Sequence, residues 1–406
     1  MSKKLCKNQD CTGCMACKQK CRNDAIKCVE IGGFVYPQID ENKCVNCGQC
    51  TLVCPVLNEK GISGNRHENE TSCIAAWNIN EDIRMKSSSG GTFSAMAEKI
   101  LDEGGIVFGA AWADELALEH QFVCKKEELD KLRRSKYVQS DTKNTYNEVY
   151  DFLKKGRKVM YCGTPCQLAG LTAFLGYKDY DNLVKVDVIC QGVPSLKSFK
   201  KYISEIEISE KCKVLDANFR SKDKGWRCGL LLLLLHCQNK TTTFIKKMVL
   251  MKNCYYNAFI KEYFMRESCY GCKFKNNNYG YYSDITIADF WRIGNKIPIK
   301  VEHYEHGINA VVINTKKGRE FFKHCSEKLH IVERTWNEFE TNGGLRQSRK
   351  PSDNDEAYRY LQNHSWSETQ RKYFPLTMRR KIKTILFLFL GEKHIRKLYK
   401  ITGRIK

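Results

Sequence analysis

From residue 72 onward, short apolar runs alternate with stretches whose apolar positions recur every three or four residues. The short runs read as buried strands: SCIAAWNIN (72–80), GIVFGAAW (105–112), EHQFVC (119–124), SKYVQS (135–140), RKVMYC (157–162), LVKVDVIC (183–190), SDITIADFW (283–291) and the start of GINAVVIN (307–314). The periodic stretches read as helices. One carries Phe93, Met96, Ala97, Ile100 and Leu101 on one face and is stopped by Gly104 and Gly105. Others are KKEELDKL (125–132), NEVYDFLKKG (147–156), GTPCQLAGLTAFLG after its turn (163–176), LKSFKKYISEIE (196–207), NAFIKEYFMRES (257–268) and KKGREFFKHCSEK (316–328). Residues 213–249 are richer in strand, and their six consecutive leucines make a buried strand, too short to span a bilayer. Strand and helix in alternation imply an α/β core built on a mixed, mostly parallel sheet, with ligands at the carboxyl ends of strands.

The first 57 residues follow another logic. They contain DCTGCMACKQKC and KCVNCGQCTLVCP, each with the spacing C-x2-C-x2-C-x3-C. A compact four-iron cube needs four thiolates around it. The loop wraps three onto one cube, and the fourth cysteine, starting a helix, points to the other. Cys11, Cys14, Cys17 and Cys54 are expected on one 4Fe–4S cluster, and Cys44, Cys47, Cys50 and Cys21 on a second. Gly13 and Gly48 let the backbone turn close to the sulfides. Zinc sites more often use two separated C-x2-C pairs. This part resembles a bacterial-type α+β dicluster ferredoxin, with Arg22 where a proline is usual and Pro55 in its place after the second set. Residues 58–72 are polar and read as a linker.

Composition narrows the setting. The chain has 406 residues, enough for two or three domains, and 22 cysteines without an apolar leader or a membrane-length run. That combination predicts a cytoplasmic protein whose cysteines bind metal and do not form a disulfide framework. The formal charge of +22 falls as anionic clusters fill. What remains reads first as a solvated lysine-rich surface, and could also serve an acidic redox partner, an anionic cofactor, a membrane surface or nucleic acid. No nucleic-acid recognition module is present, so no nucleic acid is expected. The tail KIKTILFLFLGEKHIRKLYK is basic around an apolar patch and allows weak contact with a membrane surface, although a helix packed on the core is the preferred reading.

A second cysteine set lies in the core. Cys162, Cys166 and Cys190 follow strands, and Cys269 and Cys272 form a C-x2-C pair. Spacing alone leaves a third cube and a zinc site both open. Here the motifs SSSGGTFSAMA, SKYVQS, GTPCQLAGL, DVICQGVPS, FRSKDKGW, SCYGCKF and SDITIADFW, in this order, resemble the coenzyme F420 (deazaflavin) hydrogenase/dehydrogenase beta-subunit family. The resemblance runs over about residues 70–350. It implies a flavin-binding N-terminal region at 73–205, a C-terminal region at 206–350 and a basic tail at 351–406. It also implies FAD and a third 4Fe–4S cluster held by Cys166, Cys190, Cys269 and Cys272, leaving out Cys162. The flavin is expected near Ser88, Ser89, Gly90, Gly91, Thr92, Lys136, Tyr137, Gln139, Gly163 and Thr164. Gln191 stands where relatives often carry histidine.

The implied activity is an iron–sulfur flavoprotein oxidoreductase. It joins a hydride carrier or substrate to FAD, to the clusters and to a soluble redox partner, with no protein side chain required as catalyst. The competing expectation is a non-catalytic electron-transfer subunit feeding a partner enzyme, for instance in polysaccharide biosynthesis. No G-x-G-x-x-G dinucleotide motif and no Walker lysine motif occur.

Overall fold

The computed structural model describes residues 4–58, 72–227, 229–237, 242–275, 282–340 and 343–401. Most of the expected linker, and Cys228, lie outside them. Thirteen strands are described: β1 Ile26–Ile31, β2 Phe34–Ile39, β3 Ser72–Asn78, β4 Ile106–Trp112, β5 Leu118–Val123, β6 Val159–Gly163, β7 Leu183–Val188, β8 Lys213–Ser221, β9 Leu230–Cys237, β10 Thr242–Val249, β11 Ile285–Asp289, β12 Asn309–Ile313 and β13 Leu329–Arg334.

Eight of them form the central sheet, in the order β13-β3-β12-β11-β7-β6-β4-β5. The neighbours β11, β7, β6 and β4 pair in parallel, while the flanking pairs are antiparallel. Five strands therefore point one way, which is the mixed, mostly parallel sheet the alternation implied. Both faces are covered, as parallel strands require. Helix Thr92–Asp102 packs Ala95, Met96 and Ile100 against Val107, Met160 and Val186. On the other face, helices Thr145–Lys154 and Pro165–Phe174 pack Val149, Leu168 and Leu171 against Phe108 and Tyr161.

A second, antiparallel sheet runs β10-β9-β8. The leucine run lies in β9 with Leu231, Leu233 and Leu235 fully buried under Phe199 and Tyr202 of helix Leu196–Glu210. It is a sheet strand with a period of two. Among the described residues no helix is long and apolar enough to cross a membrane. Lys213 of β8 lies opposite His236 of β9, which brings the next pair, Cys212 and Cys237, face to face as a disulfide. Two cysteines outside any ligand-spaced motif are thus joined through strand register.

Two local expectations change. SKYVQS is loop, because its groups are used sideways: Ser135 N donates to Ser88 Oγ (2.8 Å) and Gln139 N to the Pro194 carbonyl (3.0 Å), so no ladder forms. NAFIKEYFMRES is not one helix. The helix Cys254–Ile260 ends, and Glu262 and Phe264 take left-handed φ of 65° and 61°. Tertiary bonds hold that break, with Glu262 accepting from Arg349 N (3.0 Å) and Phe264 N donating to Asn354 Oδ1 (2.9 Å).

Candidate redox site

The two N-terminal loops repeat one backbone shape. Gly13 and Asn46 occupy the same loop position with φ of 72° and 57°, and Met15 and Gly48 the next shared one with φ of 57° and 72°. Each pair of left-handed residues curls a C-x2-C-x2-C loop tightly enough for its sulfurs to face one point. Each loop then enters a short helix, Ala16–Lys20 or Gln49–Leu52. The thiols of Cys11, Cys14 and Cys54 all act on that of Cys17, so the set predicted for one cube is gathered. Cys44 acts on Cys50, Cys21 Sγ accepts from Ala25 N (3.3 Å), and Cys47 is exposed. The first set is largely buried, and the second is half-buried with Cys47 exposed. Cys6 was not singled out by spacing, yet its thiol reaches both Cys11 and Cys54.

The core cysteines converge as well. Cys166 sits in the first turn of helix Pro165–Phe174, whose cap residue Thr164 receives Gln167 Oε1 on its backbone N–H at 2.9 Å. Cys190 follows β7, and Cys269 lies in the short helix Glu267–Tyr270. Close approach is needed there. A Cβ on Gly192 (φ 143°) would lie 2.4 Å from Met265 Sδ and 3.3 Å from the Cys269 Cβ. The thiols of Cys272, Cys190 and Cys269 all act on Cys166. Burial pushes Cys190 and Cys269 up to about 11 and 12, so metal has to displace protons there. The Lys275 ammonium, donating to the Gln191 carbonyl (3.1 Å) and Ser348 Oγ (3.1 Å), offsets negative charge beside them. Cys162 stands apart: its thiol faces Asp187 and Lys136, and its carbonyl contacts His120 Nε2 at 3.1 Å.

The two cysteine systems meet through Arg266, which is fully buried. Its guanidinium donates to the Cys11 carbonyl (2.6 Å), Gln139 Oε1 (3.0 Å) and the Val35 carbonyl (3.1 Å), and lies 4.2 Å from the Tyr36 ring centre. Ser268 Oγ, beside Cys269, donates to the same Cys11 carbonyl at 3.1 Å. Thr142 Oγ1 donates to the Cys14 carbonyl at 3.0 Å. At Gly170 the contact is closer still. An added Cβ would meet Cys14 Cβ at 2.8 Å and Cys14 Sγ at 2.9 Å. Gly170→Ala gains about 1 kcal/mol of helix propensity, but overpacking costs about 1–3 kcal/mol. The expected outcome is a loosened N-terminal domain, read as faster proteolysis near residue 58 and lower iron content. A variant that is more stable with full iron would contradict this interface.

A cavity of about 310 Å³ opens at the carboxyl ends of β4, β6, β7 and β11. Ser88, Ser89, Gly91, Lys136, Tyr137, Gln139, Gly163 and Thr164 line it, together with Cys166, Cys190, Cys269 and Cys272 and also Cys162. Gly90 and Thr92 lie behind the loop. A Cβ on Gly90 would be 2.4 Å from the Ala76 carbonyl, and Thr92 N donates to Asn309 Oδ1 at 3.1 Å. The loop is clamped from behind by two buried basic side chains, of which Lys222 has its ammonium pKa pushed well down by burial and by Arg84 and Arg220. Lys222 Nζ donates to the Ser89 carbonyl (2.8 Å), the His306 carbonyl (2.6 Å) and the Arg84 carbonyl. Arg220 pairs with Asp289 (3.0 Å), donates to Tyr137 OH (3.1 Å) and reaches the Ser88 carbonyl (3.4 Å). Trp226 Nε1 completes the Asp289 contacts at 3.0 Å. These residues fall in the FRSKDKGW and IADFW motifs, but their joint grip on the Ser/Gly loop has no signal in local spacing. Arg133, Arg134, Lys136 and Lys275 line the cavity, a set that suits a phosphate-bearing group, while Asp289 shares the wall and Asp130 pairs with both Arg133 and Arg134. Burial lowers the Lys136 ammonium from the usual 10.5 to about 7.

An α/β domain whose cavity is walled by four cysteines, with a two-loop ferredoxin docked against it, is an iron–sulfur electron-transfer protein of the oxidoreductase class. The chain belongs to the coenzyme F420 hydrogenase/dehydrogenase beta-subunit family and carries an N-terminal 4Fe–4S dicluster domain. The models for the beta-subunit N-terminus and C-terminus match residues 73–145 and 156–338, and the dicluster model matches residues 10–58. Among solved structures, the chain is similar to one from the F420-reducing NiFe hydrogenase complex of Methanosarcina barkeri. The identity is 19% and the TM-score 0.42, over 64% of this chain and 81% of that one. No curated protein matches.

Proposed function

We propose that the protein is an iron–sulfur flavoprotein oxidoreductase, exchanging electrons between a hydride carrier or substrate and a redox partner protein through FAD and three 4Fe–4S clusters. The observation that carries this reading is the shared cavity, where the Ser/Gly loop, several basic side chains and Cys166, Cys190, Cys269 and Cys272 line one space. Cys166, Cys190, Cys269 and Cys272 would hold the third cluster. Ser88, Ser89, Gly91, Lys136, Tyr137, Gln139, Gly163 and Thr164 would surround the flavin, with Gly90 and Thr92 setting the loop. Bound FAD supplies the exchange between a two-electron hydride and single electrons. The chain's own residues place and tune. Arg220 and Lys222 fix the loop, Lys275 sets positive charge beside the sulfurs, and Lys136 Nζ holds a proton at the cavity wall.

Lys136 gives a pH test. Its folded value is lowered, so its penalty on folding is complete below pH 7 and fades as pH rises toward 10.5. Once a phosphate-bearing ligand is bound, the charged form is favoured again. Affinity for FAD should be highest below about pH 7 and fall as pH rises through it. Lys136→Met should weaken binding by about tenfold and flatten the profile. Equilibrium dialysis of the anaerobically purified protein against FAD checks both. Unchanged affinity and slope in the variant would remove FAD phosphate from this cavity.

The less buried second cysteine set, with Cys47 exposed, supports a second reading, a non-catalytic subunit handing electrons to a partner enzyme, for instance one of polysaccharide biosynthesis. Flavin bleaching by a hydride donor without any partner separates the two: bleaching supports the oxidoreductase, and its absence across donors supports the carrier.

A further inference from the structure

The long C-terminal helix Met378–Ile401 is broken at Gly391 (φ 71°, ψ 160°), which leaves a first limb at 378–390. One side of this region is anchored. Thr384 is 1% and Phe387 3% exposed. Just past the break, Glu392 is buried, pairs with Arg227 and accepts from its backbone N–H at 2.8 Å. The other side is apolar and open: Phe389 is 86% exposed, Met378 67%, Ile382 53%, and Ile385 and Leu386 45% each. At 100° per residue these five fall within one arc about 100° wide, opposite Phe387. Exposed Arg379 and Lys381 border that arc on its two sides.

Core packing explains the inner face and leaves the outer one unexplained. A solvated helix would place charge where Phe389 stands. Residues 378–401 hold eight lysines and arginines and one acid, Glu392, already paired with Arg227. An apolar stripe flanked only by cations, on a limb about 20 Å long, matches a helix lying in a bilayer interface. There the side chains enter the acyl boundary and the cations meet anionic headgroups. The limb is too short to cross.

We propose that the 378–390 limb seats the protein on an anionic membrane surface, which would place the redox site at the bilayer without a spanning segment. The inference stands independently of the flavin reading.

The test uses the full-length, anaerobically purified protein and sedimentation with vesicles of phosphatidylcholine alone or mixed with phosphatidylglycerol. Binding is expected only to the mixed vesicles and is expected to weaken with salt. Phe389→Asp should lower it about tenfold or more, and the pair Arg379→Glu with Lys381→Glu by about tenfold. Iron content should stay unchanged in both variants, because all three side chains are exposed. Wild-type protein that ignores mixed vesicles overturns the proposal, as does equal binding by Phe389→Asp. A wild-type dimer that Phe389→Asp dissolves, with no vesicle binding, assigns the face to a second copy instead.

Discussion

Cys269→Ala is expected to lower the iron content from about twelve to about eight per chain while leaving the ferredoxin part filled. Cys269 is one of four thiols brought together from three separate segments. No local loop exists to hold a cube with three of them. The N-terminal sets differ, because each loop brings three sulfurs by its own left-handed turns. Loss at position 269 should therefore empty the core site and spare the others. Iron and sulfide analysis with low-temperature electron paramagnetic resonance reads both effects. A second consequence follows if the core cluster links the cavity to the N-terminal pair. Flavin reduced by a donor should no longer pass electrons to the ferredoxin clusters, a loss of at least about a hundredfold in rate. Undiminished iron in Cys269→Ala would break the assignment of this residue as a ligand.

Arg266→Met is the next largest expected change. The substitution removes three donors from a buried site and leaves Gln139 Oε1 and the Val35 carbonyl to find other partners. Hydrogen bonds from a charged donor contribute about 1.5–3 kcal/mol each, so a loss of about 3 kcal/mol in docking is conservative. Removing a positive charge from beside Cys11 should also lower the midpoint potential of the buried N-terminal cluster, by tens of millivolts or more. Arg266→Lys separates the two effects. It keeps the charge, so the potential should stay near wild type, but it loses the planar fork that reaches three acceptors and should still loosen the domain. Redox titration and thermal unfolding report these independently. A potential that moves equally in both variants would show that position, and not charge, governs it.

How much of this was legible depended on sequence separation. The eight N-terminal cysteines are readable because their ligand geometry lies within eleven-residue segments. The left-handed Met15 was not, since methionine does not announce that conformation, whereas Asn46 is a residue type that tolerates it. Seven of the eight strands of the central sheet were legible from their apolar runs; the edge strand β13 was not, because LHIVER buries only Leu329 fully and carries no clear apolar run. SKYVQS failed because an apolar pattern says nothing of ladder partners, and its backbone is committed to Ser88 and Pro194. Cys212 and Cys237 pair through strand register, which spacing does not encode. Arg220, Lys222 and Trp226 carry no local signal for a role at the loop. Their grip on the Ser/Gly loop spans more than 130 residues of chain and needs the fold to be seen.

The most direct measurement is the number of irons, sulfides and flavins per chain after strictly anaerobic purification. About twelve irons with one FAD is the expected result, as three cubes and one cavity ligand require. About eight irons and no flavin would contradict the core site, and the protein would then be a two-cluster carrier on an α/β scaffold.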